Sequence, residues 1–237
     1  MKLAWLDEYE RKARMIPGVL VLLPIAILIL EFGLRHQPVV SGIAALVTAV
    51  GAPVLLTSTV RARGLKLQDD LYAKWGGAPT TECLRHRGPI EDAARREQWR
   101  RDVINLVAHS LPTDMEEKDD PTGSDGRYRA AIAEVIRATR GKAPLVFEEN
   151  KNYGFERNLL AVRPLGLGVA SICLIGSVAG LVVSSVWAVG FTLVSLIIGS
   201  LAILTVLAIW FYLPTEDRVH RIGRSYAERL LDAVPPG

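Results

Sequence analysis

The sequence predicts an all-α integral membrane protein: two transmembrane helical hairpins, four spans in all, separated by a small, mainly helical cytoplasmic domain. Two observations carry this prediction. From Pro164 to Thr215 the chain holds no Asp, Glu, Lys, Arg or His, an uncharged run of 52 residues. Two further apolar stretches, Ile16 to Leu34 and Pro38 to Val60, lie near the N-terminus. A bilayer's hydrocarbon core is about 30 Å thick and takes roughly 20 helical residues to cross, so the long run suits two spans. Helix is the required form, because lipid offers no partners to backbone N–H and C=O groups.

The segments are then a cytoplasmic N-terminal stretch, 1–15; hairpin 1, 16–60; the helical domain, 61–163; hairpin 2, 164–214; and a cytoplasmic C-terminal tail, 215–237. The first span contains one charge, Glu31, which a headgroup position would accommodate, and Pro24, which is expected to kink it. A cleaved signal peptide is the competing reading of this span. The acidic Asp7, Glu8 and Glu10 in its flank, and the lack of a small-x-small cleavage site before the next apolar run, argue against it. Ser184, Ser185, Trp187 and Gly190 mark the expected turn of hairpin 2.

Orientation follows from Lys and Arg in the flanks. Lys2, Arg11, Lys12 and Arg14 precede the first span, Arg61, Arg63 and Lys66 follow the second, Arg157 and Arg163 precede the third, and Arg218, Arg221 and Arg224 follow the fourth. The opposite side has only Arg35. The positive-inside rule places both termini and the 61–163 stretch in the cytoplasm of a cell whose inner membrane holds the spans. Cys83 and Cys173 fall in the cytoplasmic stretch and inside the third span, so no disulfide is expected.

A net charge of +3 argues against nucleic acid as a partner. Within the 61–163 stretch the pattern is helical. Leu67, Leu71 and Trp75 recur at four-residue spacing before Gly76-Gly77. Trp99, Val103, Val107 and Leu111 repeat that spacing between Glu91 and Pro112, and Tyr128, Ile132, Val135 and Thr139 form a third stripe that ends at Gly141. Leu145-Val146-Phe147 fits either a strand or the start of the helix leading to Pro164. The acidic stretch from Thr113 to Gly126 does not match an EF-hand, since Asp125 stands where the turn glycine belongs, and reads as a solvated loop.

Candidate chemistry is sparse. No Cys or His spacing completes a zinc site, so no cofactor or metal is expected. Cys83 and His86 form a conceivable nucleophile pair without an orienting acid. Two polar clusters stand out more. The first is Lys74, Trp75, Gly76, Gly77, Thr80, Thr81, Arg85 and His86, where paired glycines, hydroxyls and guanidinium could grip a small anion. Its structural alternative is a helix stop followed by a new N-cap at Thr80 or Thr81. The second cluster includes Asn150, Asn152, Tyr153 and Arg157, with residues poorly suited to an uninterrupted helix; either the chain bends there or these side chains line a site facing the first cluster. Arg85, Arg87, Arg95, Arg96, Arg100 and Arg101 fit a basic face for anionic lipid, or a solvated helix surface paired with interleaved acids.

In the spans, Gly176 and Gly180 form a GxxxG pair, and Ser195 and Gly199 repeat the spacing in the last, so close helix packing is expected. The functional expectation is a non-enzymatic sensor or effector whose cytoplasmic domain binds a ligand or protein and alters the packing or permeability of the helices. The layout of two spans, insert and two spans also occurs in membrane effectors of bacterial antiviral systems, an analogy of architecture alone. The alternatives are a membrane-bound enzyme acting on a lipid or phosphorylated substrate at the cytoplasmic face, and a passive assembly subunit. Besides the bilayer, the expected partners are a second copy of the chain or another membrane subunit, and a small anionic ligand.

Overall fold

Residues 8–33, 37–90, 92–187 and 193–235 are described by the structure, a computed structural model. They are mostly helix, joined by turns, bends and short irregular stretches, with no strand among them. Among the described residues, four helices are long and apolar enough to cross a membrane: Glu8–Phe32, the helix that begins at Pro38, Pro144–Val186 and Leu193–Tyr212. Their outward side chains are hydrocarbon left uncovered by protein, as at Leu55, 80% exposed, and Ile172, 71% exposed. A bilayer would cover such surfaces. Pro24 lies within the helix Ile16–Gly33.

The described residues divide into two compact units, one drawing on Met1–Leu67 and Gly154–Thr215, the other on Gln68–Tyr153 and Glu216–Gly237. The first holds the apolar helices. Its core includes Val21, Val60, Val162, Ala170 and Trp210. Two hydrogen bonds join helices 144–187 and 193–212: Arg163 donates to the Phe211 carbonyl (2.9 Å), and Ser177 and Ser200 share a hydrogen bond at 2.7 Å. Gly166 gives room to the Trp210 indole, and Gly180 to Phe32. Ser184 and Ser185 are still helical, and of the expected turn Gly190 lies outside the described residues.

One expectation changes here. The asparagine-rich stretch 148–158 does not break the helix: it lies inside the single helix Pro144–Trp187. Asn158 is fully buried and donates to the Ala13 carbonyl at 2.7 Å, which offsets its low helix propensity with a tertiary hydrogen bond. Gly154 is small because Tyr9 and Ala13 press on it. Glu31 is 7% exposed and accepts a hydrogen bond from Ser177 at 2.7 Å, so its carboxylate is enclosed by neighbouring helices.

The second unit has a core of Leu84, Trp99, Val103, Tyr128, Val135, Leu230 and Leu231. The C-terminal stretch is part of it: Glu216–Asp232 is an amphipathic helix whose Val219, Ala227, Leu230 and Leu231 are buried. Its Asp232 accepts from the Trp99 indole N–H at 2.8 Å. The second stripe forms the helix Ala93–Val107, N-capped by Asp92. It stops earlier than Pro112 demands, because Ala108 turns left-handed at φ 56°. The third stripe is the helix Pro121–Thr139, and Leu145-Val146-Phe147 opens the helix Pro144–Trp187.

The acidic stretch is not a loop. Thr113 and Glu116 form a reciprocal capping box that starts the helix Asp114–Asp119, and Asp120 caps the next one. Glu117 is 2% exposed and serves as an anchor, accepting from the backbone N–H groups of His86 (3.0 Å) and Arg87 (3.2 Å) and from the Tyr128 hydroxyl (2.7 Å). Burial alone would push its carboxyl up. Those hydrogen bonds and the Arg87 guanidinium outweigh it and hold Glu117 below the usual carboxylate range.

Candidate functional site

The first polar cluster opens onto a cleft of about 430 Å³ in the second unit. One wall is the end of the helix Ala52–Trp75, which stops where Gly76 adopts φ +77°. Only glycine takes that conformation without strain. Gly77 has to be glycine for a second reason: an added Cβ would lie 2.5 Å from an Arg85 nitrogen. The chain then re-enters a helix, Pro79–Leu84, through Ala78. Thr80 and Thr81 therefore lie inside that helix and do not cap it.

Arg85 is committed to the architecture. Its guanidinium makes a two-pronged bond to Asp125 at 2.7 and 2.6 Å and donates to the Gly76 carbonyl at 2.7 Å. Arg87 reaches the same carboxylate at 2.9 Å. With Asp125 thus neutralised, the cleft keeps an excess of positive charge from Arg129, which lines it, is exposed, and has no ion-pair partner among the described residues. Thr81 also lines the cleft. It is 2% exposed, and its hydroxyl has no hydrogen-bond partner among the described residues. A buried hydroxyl in that state costs free energy unless something else bonds it. Tyr72 supplies an aromatic wall.

The other sequence candidates divide. Lys74 is exposed and paired with Glu216, and Trp75 packs on His220 with ring centres 4.5 Å apart. Thr80 is buried, and the His86 backbone is taken by Glu117. Of the second cluster, Tyr153 approaches the cleft wall, bonding Tyr72 hydroxyl to hydroxyl at 3.1 Å and stacking on Tyr226. Asn150 and Asn152 are half-buried and do not line the cleft. Arg157 belongs to the other unit, where it bonds Asn158. The cleft residues missed from sequence are Tyr72, Ala73, Thr122, Asp125 and Arg129. The one available signal was the spacing of Asp125 and Arg129, one helical turn apart.

The Cys83–His86 pair is no nucleophile. Cys83 is 1% exposed in the core, and burial pushes its thiol up to about 12, leaving no thiolate at neutral pH. The arginine face is dismantled as well. Arg100 is buried and donates to the carbonyls of Leu84 and Pro112 and to the Tyr128 hydroxyl, while Arg95 stacks on Trp99 and pairs with Glu228 and Asp232. No group of three or more His, Cys, Asp or Glu suited to a metal occurs among the described residues. No protein-family model, curated protein or solved structure gives a significant match to the chain, so the cleft is read from its own chemistry.

Proposed function

We propose that the chain is a multi-pass sensor or effector of a bacterial-type inner membrane, whose cytoplasmic unit binds a small anion in the cleft and thereby alters the packing or permeability of the helices. The observation that carries this reading is the pairing, in one cleft, of an uncommitted guanidinium at Arg129 with the buried, unpartnered Thr81 hydroxyl. Guanidinium and hydroxyl donors around a glycine turn suit phosphate or carboxylate oxygens, and Tyr72 offers a face to an organic substituent. The opposed pairing of Arg163 with Phe211 and Ser177 with Ser200 supports a hairpin for the last two spans. Positive flanks support cytoplasmic termini and a cytoplasmic second unit. Two stretches of chain, 52–75 and 144–187, are helical and contribute to both units, and these are the route proposed for coupling. Self-association through the small-residue faces belongs to the same proposal.

Titration of the full-length protein in detergent with inorganic phosphate, pyrophosphate, AMP and ATP, followed by isothermal calorimetry, tests it. One of these anions is expected to bind. Arg129→Ala should weaken that binding by about tenfold or more, the loss of one charge-assisted hydrogen bond, and Thr81→Val should weaken it less. Arg129 makes no ion pair among the described residues, so its removal leaves the fold undisturbed. Binding that is indifferent to Arg129→Ala, or none at all across the panel, would contradict the reading.

A further inference from the structure

Glu31 is a carboxylate enclosed by helices of the membrane unit. It is 7% exposed. Its Oε1 accepts from the Ser177 hydroxyl at 2.7 Å, and Ser177 lies 2.7 Å from the Ser200 hydroxyl, so three side chains from three helices form one polar cluster. Oε2 is buried and has no hydrogen-bond partner among the described residues. The position is built to receive this side chain: a Cβ at Gly199 would lie 1.9 Å from Oε1, so only glycine leaves the space.

Both serines lie within the uncharged run 164–215. Arg163 bonds the carbonyl of Phe211, which fixes one level across two helices. Ser177 is 14 residues beyond Arg163, about 21 Å along its helix, and Ser200 is 11 residues before Phe211, about 16 Å. Both distances fall inside a hydrocarbon layer of about 30 Å. The segments 38–60 and 164–215 contain no charged residue, so no Lys, Arg or His from the other spans can neutralise Glu31. Among the described residues, Cys173, one turn before Ser177, is near enough to Glu31 to feel its charge. On Glu31's own chain segment, Arg35 and His36 lie outside the described residues. A carboxylate in such surroundings is sustainable when a cation accompanies it, and intramembrane acids of this kind mark ion or proton pathways.

We propose that Glu31, Ser177 and Ser200 form an intramembrane binding site for a small, hard monovalent cation, a proton or Na+. The donor set is all oxygen, two from the carboxylate and one from each hydroxyl, which suits such ions and offers nothing to soft metals. The two serines also give a proton a hydroxyl chain leading from Glu31 towards the last helix. The site is independent of the cleft, and its test uses no anion.

The full-length protein in liposomes is treated with a hydrophobic carbodiimide, which adds to protonated carboxyl groups, and the Glu31 peptide is quantified by mass spectrometry. In choline chloride, modification should fall by at least about tenfold from about pH 6 to about pH 9, as the cation exchanges with the medium. Protection by NaCl at fixed pH identifies Na+ as the ligand, and indifference to NaCl identifies the proton. As a second readout, Glu31→Gln keeps the side-chain shape and removes the charge. The apparent melting temperature of the wild type in detergent should depend on pH or NaCl in a way that Glu31→Gln abolishes. Modification that is constant with pH and NaCl, or absent, together with identical melting behaviour of the two proteins, overturns the proposal.

Discussion

Replacing Glu117 with Ala is expected to loosen the second unit more than any other single substitution there. The carboxylate receives two backbone N–H groups and the Tyr128 hydroxyl, and Tyr128 in turn receives Arg100. Glu117 is buried, so the substitution removes the acceptor of two backbone amides and of the Tyr128 hydroxyl, and the ion-pair partner of Arg87. Leaving a buried donor without its acceptor costs about 1–3 kcal/mol, so losing the acceptor of all three costs about 3 kcal/mol or more. At about 1.4 kcal/mol per factor of ten, amides of the helix Ala93–Val107 should exchange with deuterium faster by roughly a hundredfold or more. Exchange unchanged within a few-fold would show that the network contributes little.

The same network makes a pH prediction. The folded state holds Glu117 below its ordinary range, so the unfolded chain binds the proton more readily. The stabilisation is present above the unfolded value, about pH 4.3, and is lost as pH falls through the lower folded value. The difference in exchange between wild type and Glu117→Gln should therefore persist at pH 7 and shrink on acidification.

In the membrane unit, Gly166→Leu is expected to have the largest effect. A Cβ there would meet the Trp210 ring at 2.2 Å, and Trp210 is fully buried at the centre of that unit's core. An indole has no far end that swings aside cheaply, so the helices must separate or the ring must leave its place. Overpacking of this kind costs about 1–3 kcal/mol. Gly168 is the control, because nothing lies within 4 Å of a Cβ added there. Gly166→Leu should lower the temperature at which the protein loses its monodisperse peak after heating in detergent, and Gly168→Leu should not. Equal behaviour of the two variants would contradict the packing described.

What the sequence showed and hid follows from the range of the forces involved. The spans were legible because hydrocarbon excludes charge over whole segments, and the helix stop at Gly76-Gly77 because it depends on local backbone conformation. Glu117 was hidden because its partners, His86 and Arg87, are some 30 residues away. Composition alone assigned it to a solvated loop. Arg100 was hidden for the same reason: arginine on a polar stripe reads as surface, and nothing local announces that the carbonyls of Leu84 and Pro112 will enclose it. For Glu31 the sequence hid its neighbours Ser177 and Gly199, which lie more than 140 residues on. In the cleft, Gly76, Gly77, Thr81 and Arg85 were legible as a cluster, but the role of Arg85 was not, because Asp125 lies 40 residues on.

The proposed function requires that the cleft face the cytoplasm, and cysteine labelling tests this most directly. In a background with Cys83 and Cys173 replaced by Ala, single cysteines are placed at Gln37, Ser185 and Met115, all exposed. Intact cells are treated with a membrane-impermeant maleimide. Gln37→Cys and Ser185→Cys should label, and Met115→Cys should label only after the cells are opened. Labelling of Met115→Cys in intact cells would put the cleft outside the cell and contradict the account.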